Sequence, residues 1–494
     1  MFKNAQLETV KAWMGDPSHK MLPLHSRIQH AVRQLILEGT LNIGNPLPAS
    51  RVLAKSLEVS RDTVEAAYSQ LHAEGFIERK VGSGSFVSQK AKVPKKRFRS
   101  RGNRDQLDTL QLSQRGERIA QRGGIREFSE PRAFAPGVPE TRGFPLQTWE
   151  RLERQILREY DNRALAHSPP QGIDRLRRAI ADYVNLERGA SANYQQIFIV
   201  TSTQQALTLC ATMLMDSGDS VFIENPAYQG GRKTFEAAGL NCIPIQVDAN
   251  GMVVGQLEEH SLAAKAVFLT PSHQYPTGAT LSLDRRLAVI DWAQRHQAWI
   301  VEDDYDSEFH YEGKPTSCVQ GLDSNNRTIY IGTFTKSLFP GLRLAYIVLP
   351  TQLIEPMAAA RSLMDGHSAT IAQLTLSRFI EGGHLSAHVR TMRSVYMARR
   401  NYLARLIKEH LSDFVEVRIP VGGMQMPCIF LKDMPEDIVV RNAYRAGVDV
   451  VGLSTLSAIP LFQQRGLLMG FAAYASKEME IGVMKLAEVF KNLS

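Results

Sequence analysis

The segment "GTFTKSLFPGLRLAYIV", residues 332–348, places one lysine between two apolar, strand-like runs. Lys336 stands beside the hydroxyl residues Thr333 and Thr335, and Arg343 follows it further along the segment. A lysine amine can form a Schiff base with an aldehyde, and an arginine can hold a phosphate through two parallel hydrogen bonds. The segment therefore predicts a site for a cofactor that carries both an aldehyde and a phosphate.

Short, continuous apolar runs surround this segment and alternate with helical stretches from residue 131 onward. Such runs are typical of strands that are buried on both faces of a mostly parallel sheet. They read QQIFIVTS, DSVFIEN, AKAVFLTP, QAWIVEDDY, RTIYIGTF and LRLAYIVLP. The last section of the chain, from FVEVRIPVGGMQMPCIFL to GVMKLAEVFKNL, predicts a smaller α/β lobe.

The turn after the first of these runs has the pattern of a phosphate-binding site. The backbone N–H groups of Ser202, Thr203 and Gln204 would face outward at the start of a helix, where anions are stabilised. This pattern alone is a weak signal, because many strand-to-helix turns bind nothing. Tyr228, just past the second run, carries a ring that could stack on a flat cofactor.

Asp303 and Tyr305 follow the fourth run, in "VEDDYDSEF". A buried carboxylate there could pair with a protonated pyridine nitrogen and keep the ring electron-withdrawing. The structural alternative for Asp303 is a cap at the end of a strand. The order along the chain of a phosphate turn, an aromatic ring, a carboxylate, a lysine and an arginine favours the cofactor site.

Residues 20–90 predict a small DNA-binding fold. The stretches HSRIQHAVRQLILEGTL, ASRVLAKSLEVS and RDTVEAAYSQLHAEG have the apolar spacing of helices. Ser60 caps the third helix and Gly75 ends it, and residues 82–84 form the turn of a hairpin. Together they make a winged helix-turn-helix, whose third helix enters the major groove by its N-terminal end. The alternative is a helical domain that docks to another protein.

The net charge of +8 is unevenly distributed, since residues 90–126 hold twelve Lys or Arg against three acids. Such a local excess suits a polyanion such as DNA, and the alternative is a solvated linker that its charge keeps extended. Residues 91–130 are polar and show no sustained period, which predicts a basic flexible linker with one weak helix near residues 111–121.

The 494 residues exceed one ordinary domain, and three segments are expected: 20–90, 91–130 and 131–494. The four cysteines lie far apart, without the spacing of a zinc site or of a disulfide framework. We therefore expect no metal and a reducing cytoplasm. No apolar run predicts a membrane span, and no signal peptide stands at the N-terminus.

The run "PASRVLAKSLEVSRDTVEAAYSQLHAEGFIERKVGSGSFV" resembles the GntR family of bacterial regulators. The resemblance implies that the N-terminal segment binds a double-stranded DNA operator. The residues that it places on DNA, the last two on the wing, are Arg51, Ser60, Arg61, Thr63, Ser83 and Gly84.

"FAPGVPETRGFP", "PSHQYPTG" and "FPGLRLAYIV" resemble the fold-type I aminotransferases, over about 360 residues. The resemblance implies an α/β domain that binds pyridoxal 5′-phosphate (PLP) as a Schiff base with Lys336. Asp303 would then pair with the ring nitrogen, Tyr305 would reach the ring hydroxyl and Tyr228 would stack. Because fold-type I sites are built at a subunit interface, it also implies a homodimer. A GntR-type N-terminal domain joined to this aminotransferase-like domain resembles the MocR/GabR-type regulators.

Some positions depart from the aminotransferase pattern. Leu468 stands where an arginine normally holds the substrate's α-carboxylate, in "RGLLMGFAAYA", although Arg465 is close in sequence. His167 replaces a tyrosine in "HSPPQG", and Tyr275 replaces the asparagine that normally bonds the ring hydroxyl. The cofactor residues are present, whereas the usual substrate arginine is not. An anion could still be bound by Arg465 or by Arg232.

Two functions from different classes follow. The first is a transcription regulator that senses PLP or an amine effector such as GABA, taurine or an amino acid, with two spaced operator half-sites for a dimer. The second is an active aminotransferase with an accessory DNA-binding domain. Leu468 and the well-formed winged helix favour the regulator.

Overall fold

A computed structural model of the chain describes residues 4–15, 21–80, 82–91, 112–125, 130–260, 263–313, 316–459 and 465–493. The chain divides into two compact units, Met1–Leu110 and Gln111–Ser494. Most of the linker predicted for residues 91–130 lies outside the described residues, which omit 92–111 and 126–129. Among the described residues, no helix is long and apolar enough to cross a membrane.

The smaller unit is a helical bundle with a hairpin. Its helices are α1 (Asn4–Gly15), α2 (Leu24–Leu37), α3 (Ser50–Leu57) and α4 (Arg61–Ala73). Its antiparallel strands are β1 (Ile77–Lys80) and β2 (Gly84–Val87). The winged helix-turn-helix prediction is confirmed, and α1 precedes the three predicted helices.

Helix α4 forms for local reasons that the sequence shows. The Ser60 hydroxyl accepts a hydrogen bond from the backbone N–H of Thr63 at 3.1 Å, which satisfies a donor that the helix start would leave unpaired. Its apolar residues recur at helical spacing and are buried in the core of the unit: Val64, Ala67, Tyr68 and Leu71. Gly75 follows at φ +80°, a conformation that glycine adopts without strain.

The larger unit is built on a sheet that, among the described residues, has eight strands in the order β3-β10-β9-β8-β7-β4-β5-β6. The central pairs from β9 to β5 are parallel, whereas β10 runs antiparallel to both neighbours and β6 is antiparallel to β5. The strands are β3 (Ile197–Val200), β4 (Ser220–Asn225), β5 (Asn241–Asp248), β6 (Gly251–Met252), β7 (Ala264–Leu269), β8 (Trp299–Asp304), β9 (Thr328–Thr333) and β10 (Ala345–Val348).

Helices precede, connect and follow these strands. They are α5 (Gln114–Arg122), α6 (Leu146–Tyr160), α7 (Asp174–Arg188), α8 (Thr203–Leu214), α9 (Gln229–Ala238), α10 (Gln256–Glu259), α11 (Leu283–Arg295), α12 (Val319–Leu322), α13 (Phe334–Ser337), α14 (Ile354–Met364), α15 (Thr370–Glu381) and α16 (His384–His410). Short 3-10 helices span Asp161–Leu165, Tyr194–Gln196, Pro340–Leu342, Thr351–Leu353 and Leu453–Leu456.

The predicted small α/β lobe is confirmed as an antiparallel sheet in the order β11-β12-β14-β13, covered by helices. Its strands are β11 (Val415–Val417), β12 (Gln425–Phe430), β13 (Val451–Gly452) and β14 (Gly466–Gly470), and its helices are α17 (Glu436–Arg445) and α18 (Ser476–Lys491). One face of this sheet packs with α16, α17 and α18 into a common apolar core.

Candidate functional site

The residues singled out in the larger unit lie where strands of the main sheet end. Asp303 belongs to the end of β8, and Lys336 lies in α13, directly after β9. Ser202 is the N-cap of α8 after β3, and Tyr228 is the N-cap of α9 after β4. Because β4, β7, β8 and β9 are parallel, their carboxyl ends share one edge of the sheet, which is where ligands bind in α/β folds.

Asp303 is a buried carboxylate with an unused acceptor. Its side chain is 3% exposed, and Oδ1 has no hydrogen-bond partner among the described residues. Burial, together with the nearby carboxyls of Asp304 and Asp306, raises the pKa of Asp303 to about 8, although the charge of Lys336 acts in the opposite direction. A donor placed against Oδ1 would therefore stabilise the ionised carboxylate.

Lys336 is held at the same edge of the sheet. Its Nζ donates a hydrogen bond to the backbone oxygen of Gly137 at 2.6 Å. Gly137 has φ +72°, a conformation that favours glycine, and a Cβ there would come within 3.1 Å of Nζ, a tight contact. Thr333 caps the short helix by accepting from the N–H of Thr335 at 3.2 Å, which fixes the turn that carries the lysine.

Aromatic rings form one side of the site. Gln204 Nε2 donates to the Tyr228 hydroxyl at 3.1 Å, and Gln204 Oε1 accepts from Thr234 at 2.7 Å, so the amide holds the ring in place. The ring of Tyr275 lies 5.9 Å from that of Tyr228 and 6.1 Å from that of Tyr305, edge-on in both cases. Tyr228, Tyr275 and Tyr305 thus form a continuous aromatic row.

The remaining predicted cofactor residues differ in how closely they join this group. The Tyr305 hydroxyl donates to the backbone oxygen of His273 at 3.0 Å. Ser202 accepts from the N–H of Gln205 at 3.3 Å and caps α8, which Thr203 begins. Arg343 is exposed, at φ +52°, and no hydrogen bond or ion pair ties it to these residues within the described ranges.

The positions that depart from the aminotransferase pattern have definite surroundings. His167 Nδ1 lies 3.2 Å from Nε2 of His367. Leu468 is fully buried with Leu453 and Leu456, in a cluster that packs against Tyr275. The apolar neighbours make this a poor place for a carboxylate.

The two arginines considered as substitute anion ligands are both engaged with acids. Arg232 donates to Glu236 at 3.0 Å and to the backbone oxygen of Ser457 at 3.4 Å. Arg465 forms an ion pair with Asp433 at 3.0 Å. Each guanidinium would have to leave an acid to bind a ligand.

Sequence reasoning missed a buried polar network below the site. Glu224 accepts hydrogen bonds from the N–H and hydroxyl of Thr270 and from Gln274, and burial raises its pKa to about 7. His273 Nδ1 lies 2.9 Å from Oδ1 of Asp306, and both side chains are buried. The glutamate inside the apolar run DSVFIEN was the available signal, since a buried charge requires partners.

The predicted DNA-binding residues all belong to the smaller unit. Arg51, Ser60 and Arg61 are exposed at the starts of α3 and α4, and Thr63 is half-buried because its hydroxyl bonds that of Ser60 at 2.7 Å. Ser83 and Gly84 are exposed at the hairpin turn. The polar start of α4 is therefore accessible, as a recognition helix requires.

Comparison with known proteins agrees with both units. Residues 24–87 match the family of bacterial regulatory proteins named gntR, and residues 138–445 match aminotransferase class I and II. The chain is 34% identical over 471 residues to the "Probable rhizopine catabolism regulatory protein MocR" of Rhizobium meliloti, an alignment that covers 95% of this chain and 94% of the relative. The chain belongs to the MocR/GabR-type regulators of the GntR family. The predicted family is thus confirmed.

Further comparisons show similarity to a second regulator and to an aminotransferase. The "HTH-type pyridoxine biosynthesis transcriptional regulator PdxR" of Corynebacterium glutamicum is 31% identical over 438 residues, 88% of this chain and 89% of that protein. The kynurenine aminotransferase of Pyrococcus horikoshii superposes with a TM-score of 0.68 at 26% identity, over 78% of this chain and 95% of the enzyme. The larger unit of this MocR/GabR-type chain therefore has the fold-type I aminotransferase fold.

Proposed function

We propose that this chain is a DNA-binding transcription regulator whose aminotransferase-like unit binds PLP at Lys336, and whose DNA binding depends on PLP or an amine at that site. The observation that carries the proposal is Oδ1 of Asp303, a buried carboxylate oxygen without a partner among the described residues, close enough to Lys336 for their charges to interact. The match of residues 24–87 to the gntR family supports DNA binding.

The residues present fit PLP. When bound, PLP supplies an aldehyde that condenses with amines and a ring that withdraws electrons. Asp303 would accept a hydrogen bond from the ring nitrogen and would then be stable as a carboxylate. The Lys336 amine, which the Gly137 carbonyl orients, would bond the aldehyde carbon. Tyr228 would lie against the ring, and Tyr305 would approach its hydroxyl.

The phosphate would be held at the other end of the site. The backbone N–H groups of Ser202, Thr203 and Gln204 begin α8, and the positive end of the helix dipole stabilises an anion there. Arg343 adds a full charge, and Thr333 and Thr335 add hydroxyls. The exposed guanidinium of Arg343 can reach the phosphate without breaking another ion pair of the described chain.

The regulator works as a homodimer on two operator half-sites. The support is the fold of the larger unit, since fold-type I sites are completed by a second subunit. Each subunit brings one winged helix, with Arg51, Arg61 and the turn at Ser83 and Gly84 directed to DNA. Two such winged helices bind two half-sites on one face of the duplex.

The experiment that tests cofactor binding is borohydride reduction of the PLP-loaded protein followed by peptide mapping. The adduct should lie on Lys336, and Lys336→Ala should lose it. Lys233→Ala is the matched control, because Lys233 lies on α9 and donates to the Gly124 carbonyl. A single adduct on another lysine in the wild-type protein would contradict the assignment.

Regulation is tested by footprinting DNA beside the protein's own gene with the cofactor-free and PLP-loaded forms, then with added amines. A footprint that changes with the state of the site supports the proposal. Identical footprints in every state contradict the sensing role. Steady transamination with an oxo-acid above about 1 s⁻¹, the low end for ordinary enzymes, would instead favour the catalytic alternative.

A further inference from the structure

One face of the small antiparallel sheet is directed toward the candidate cofactor site. Directly paired residues of an antiparallel sheet place their side chains on the same face. The register pairs Pro427 and Val451 with Leu468, and Gln425 with Gly470, so these side chains share one face. The alternate residues, Met426, Cys428, Leu467 and Met469, lie in the apolar core on the other face.

Contacts show that the first of these faces meets the site. Oε1 of Gln425 lies 3.7 Å from the position of a Cβ on Gly137, the residue whose carbonyl holds Lys336. Leu468 belongs to the cluster that packs against Tyr275, the middle ring of the aromatic row. In addition, the N–H of Ala227 bonds the backbone oxygen of Leu456 at 3.0 Å, which ties that cluster to the turn before Tyr228.

This face carries an amide and apolar side chains where an anion would need a cation. Gln425 is 6% exposed, and its Oε1 is buried without a hydrogen-bond partner among the described residues. Arg465 lies just before β14, two residues before Leu467, and the alternation of side chains along a strand therefore gives it the core face on which Leu467 lies. Its guanidinium is paired with Asp433. Arg418 is exposed, and it lines a cleft together with Pro427 of this face and Leu453 of the Leu468 cluster.

The unpartnered oxygen of Gln425 calls for a hydrogen-bond donor. Leaving a buried acceptor unpaired is unfavourable, and a site that contains one favours a ligand that supplies the missing donor. A carboxylate cannot donate, and beside Leu468 it would lose its hydration among apolar side chains. A hydroxyl can donate a hydrogen bond to the Gln425 oxygen, and because it is uncharged it needs no counter-ion.

We propose that the effector recognised at this site is a primary amine that carries an uncharged hydrogen-bond donor in place of the α-carboxylate of an amino acid, and that Gln425 accepts the hydrogen bond. Gln425 is then a specificity-determining residue, and Leu468 excludes carboxylates. The inference rests on the proposed function, because the amine is the group that reacts at the cofactor held by Lys336.

The test compares ligands that differ only at the group in question. Leucinol replaces the carboxylate of leucine by a hydroxymethyl group, and 3-methylbutylamine has neither; alaninol and alanine form a smaller pair. Each is titrated into the PLP-loaded protein, with visible absorption and thermal stability as readouts. Leucinol or alaninol should bind about tenfold or more tightly than its amino acid, and leucinol more tightly than 3-methylbutylamine.

Variants of the protein test which residues set the preference for the alcohol over the amino acid. Gln425→Leu should bring the affinity for leucinol down to that for 3-methylbutylamine, whose own binding should change little. Leu468→Arg should raise the affinity for leucine about tenfold or more. Leu467→Met, on the core face of the same strand, should leave all ratios unchanged. Because Leu468→Arg places a charge in a packed cluster, the wild-type ligand series and Gln425→Leu decide the inference if that variant does not fold.

Some outcomes would overturn the inference and leave the proposed function standing. These are leucine or alanine binding as tightly as its alcohol, a carboxylate preference that Arg418→Gln or Arg465→Gln abolishes, a PLP-loaded protein that responds to none of these amines, or an unchanged leucinol preference in Gln425→Leu. Failure of the proposed function looks different, since PLP would then give no borohydride-stable adduct on Lys336 before any amine is added.

Discussion

Nε of Arg122 lies 3.2 Å from Oε2 of Glu236, and this ion pair joins helix α5 to helix α9. Glu236 uses its other oxygen for Arg232, and Lys233 of α9 donates to the Gly124 carbonyl at 2.9 Å. Helix α9 begins directly after Tyr228, the ring proposed to lie on the cofactor. Helix α5, which lies within the segment predicted to be a linker, is therefore attached to an element of the candidate site.

Breaking this ion pair should loosen α5 without unfolding the larger unit. The pair is partly exposed, and such pairs contribute about 0.2–1 kcal/mol. Arg122→Gln should therefore speed hydrogen exchange in residues 114–122, while the thermal midpoint of the larger unit changes little. Hydrogen exchange followed by mass spectrometry measures both α5 and α9.

Arg115→Gln is the matched control, because Arg115 is exposed on the same helix and has no ion pair among the described residues. It should leave the exchange of α5 at the wild-type rate. Equal exchange in all three proteins would show that other contacts, such as the hydrogen bond from Lys233 to Gly124, attach α5, and that the ion pair contributes nothing measurable.

The buried carboxyl of Asp303 predicts that the free energy of unfolding of the cofactor-free protein depends on pH. Its pKa is raised to about 8, chiefly by burial, so the unfolded chain ionises this group at a lower pH than the folded one. Stability contributed by Asp303 is therefore lost progressively as pH rises from about 4 to about 8. Asp303→Asn should be more stable than wild type near pH 8, by about 1 kcal/mol or more, and the difference should shrink toward pH 4.

Chemical denaturation of the cofactor-free proteins at several pH values measures this difference. Asp182→Asn, at an exposed position on α7, is the matched control for the loss of a carboxyl. Asp303→Asn should also bind PLP more weakly, because an amide stabilises the protonated ring nitrogen less than a carboxylate does. A difference between Asp303→Asn and wild type that does not vary with pH would show that folding does not raise the pKa of Asp303.

The parts of the fold that local sequence encodes were predictable, and those that depend on distant pairing were not. Lys336 and Asp303 follow apolar runs that are buried on both faces, and each lies at the predicted strand end. Strand β5, Asn241–Asp248, was missed because "NCIPIQVD" mixes polar residues and a proline, as a strand near the sheet edge can. The direction of Gln425 depends on its register with Gly470, which no local pattern in the sequence gives.

DNA binding should separate from helix stability at the start of α4. Arg61 is exposed, so Arg61→Ala should leave the smaller unit as stable as before and, if the guanidinium reads a base, should weaken operator binding by about 1–3 kcal/mol. Ser60→Ala removes the cap on the Thr63 N–H and should cost about 1 kcal/mol of stability as well. Gel shifts on operator and unrelated DNA, with hydrogen exchange of α4, measure the two effects. Equal weakening by Arg61→Ala on both DNAs would assign Arg61 to the phosphate backbone.

The spacing of the operator half-sites should follow the helical repeat of DNA. A homodimer carries two winged helices, and both recognition helices can enter the major groove only where the half-sites face the same side, at multiples of about 10–10.5 bp. Outside helix α5, the composition of residues 91–130 predicts a flexible tether, which would tolerate changes in distance better than changes in rotation, because extending a flexible chain costs little free energy. Inserting about five base pairs between half-sites should therefore weaken binding more than inserting about ten.

Gel shifts on the two altered operators, with light scattering to establish the dimer, provide the measurement. Equal binding to both operators, or a monomer at working concentration, would contradict the proposal that two winged helices of a dimer bind half-sites on the same side of the DNA.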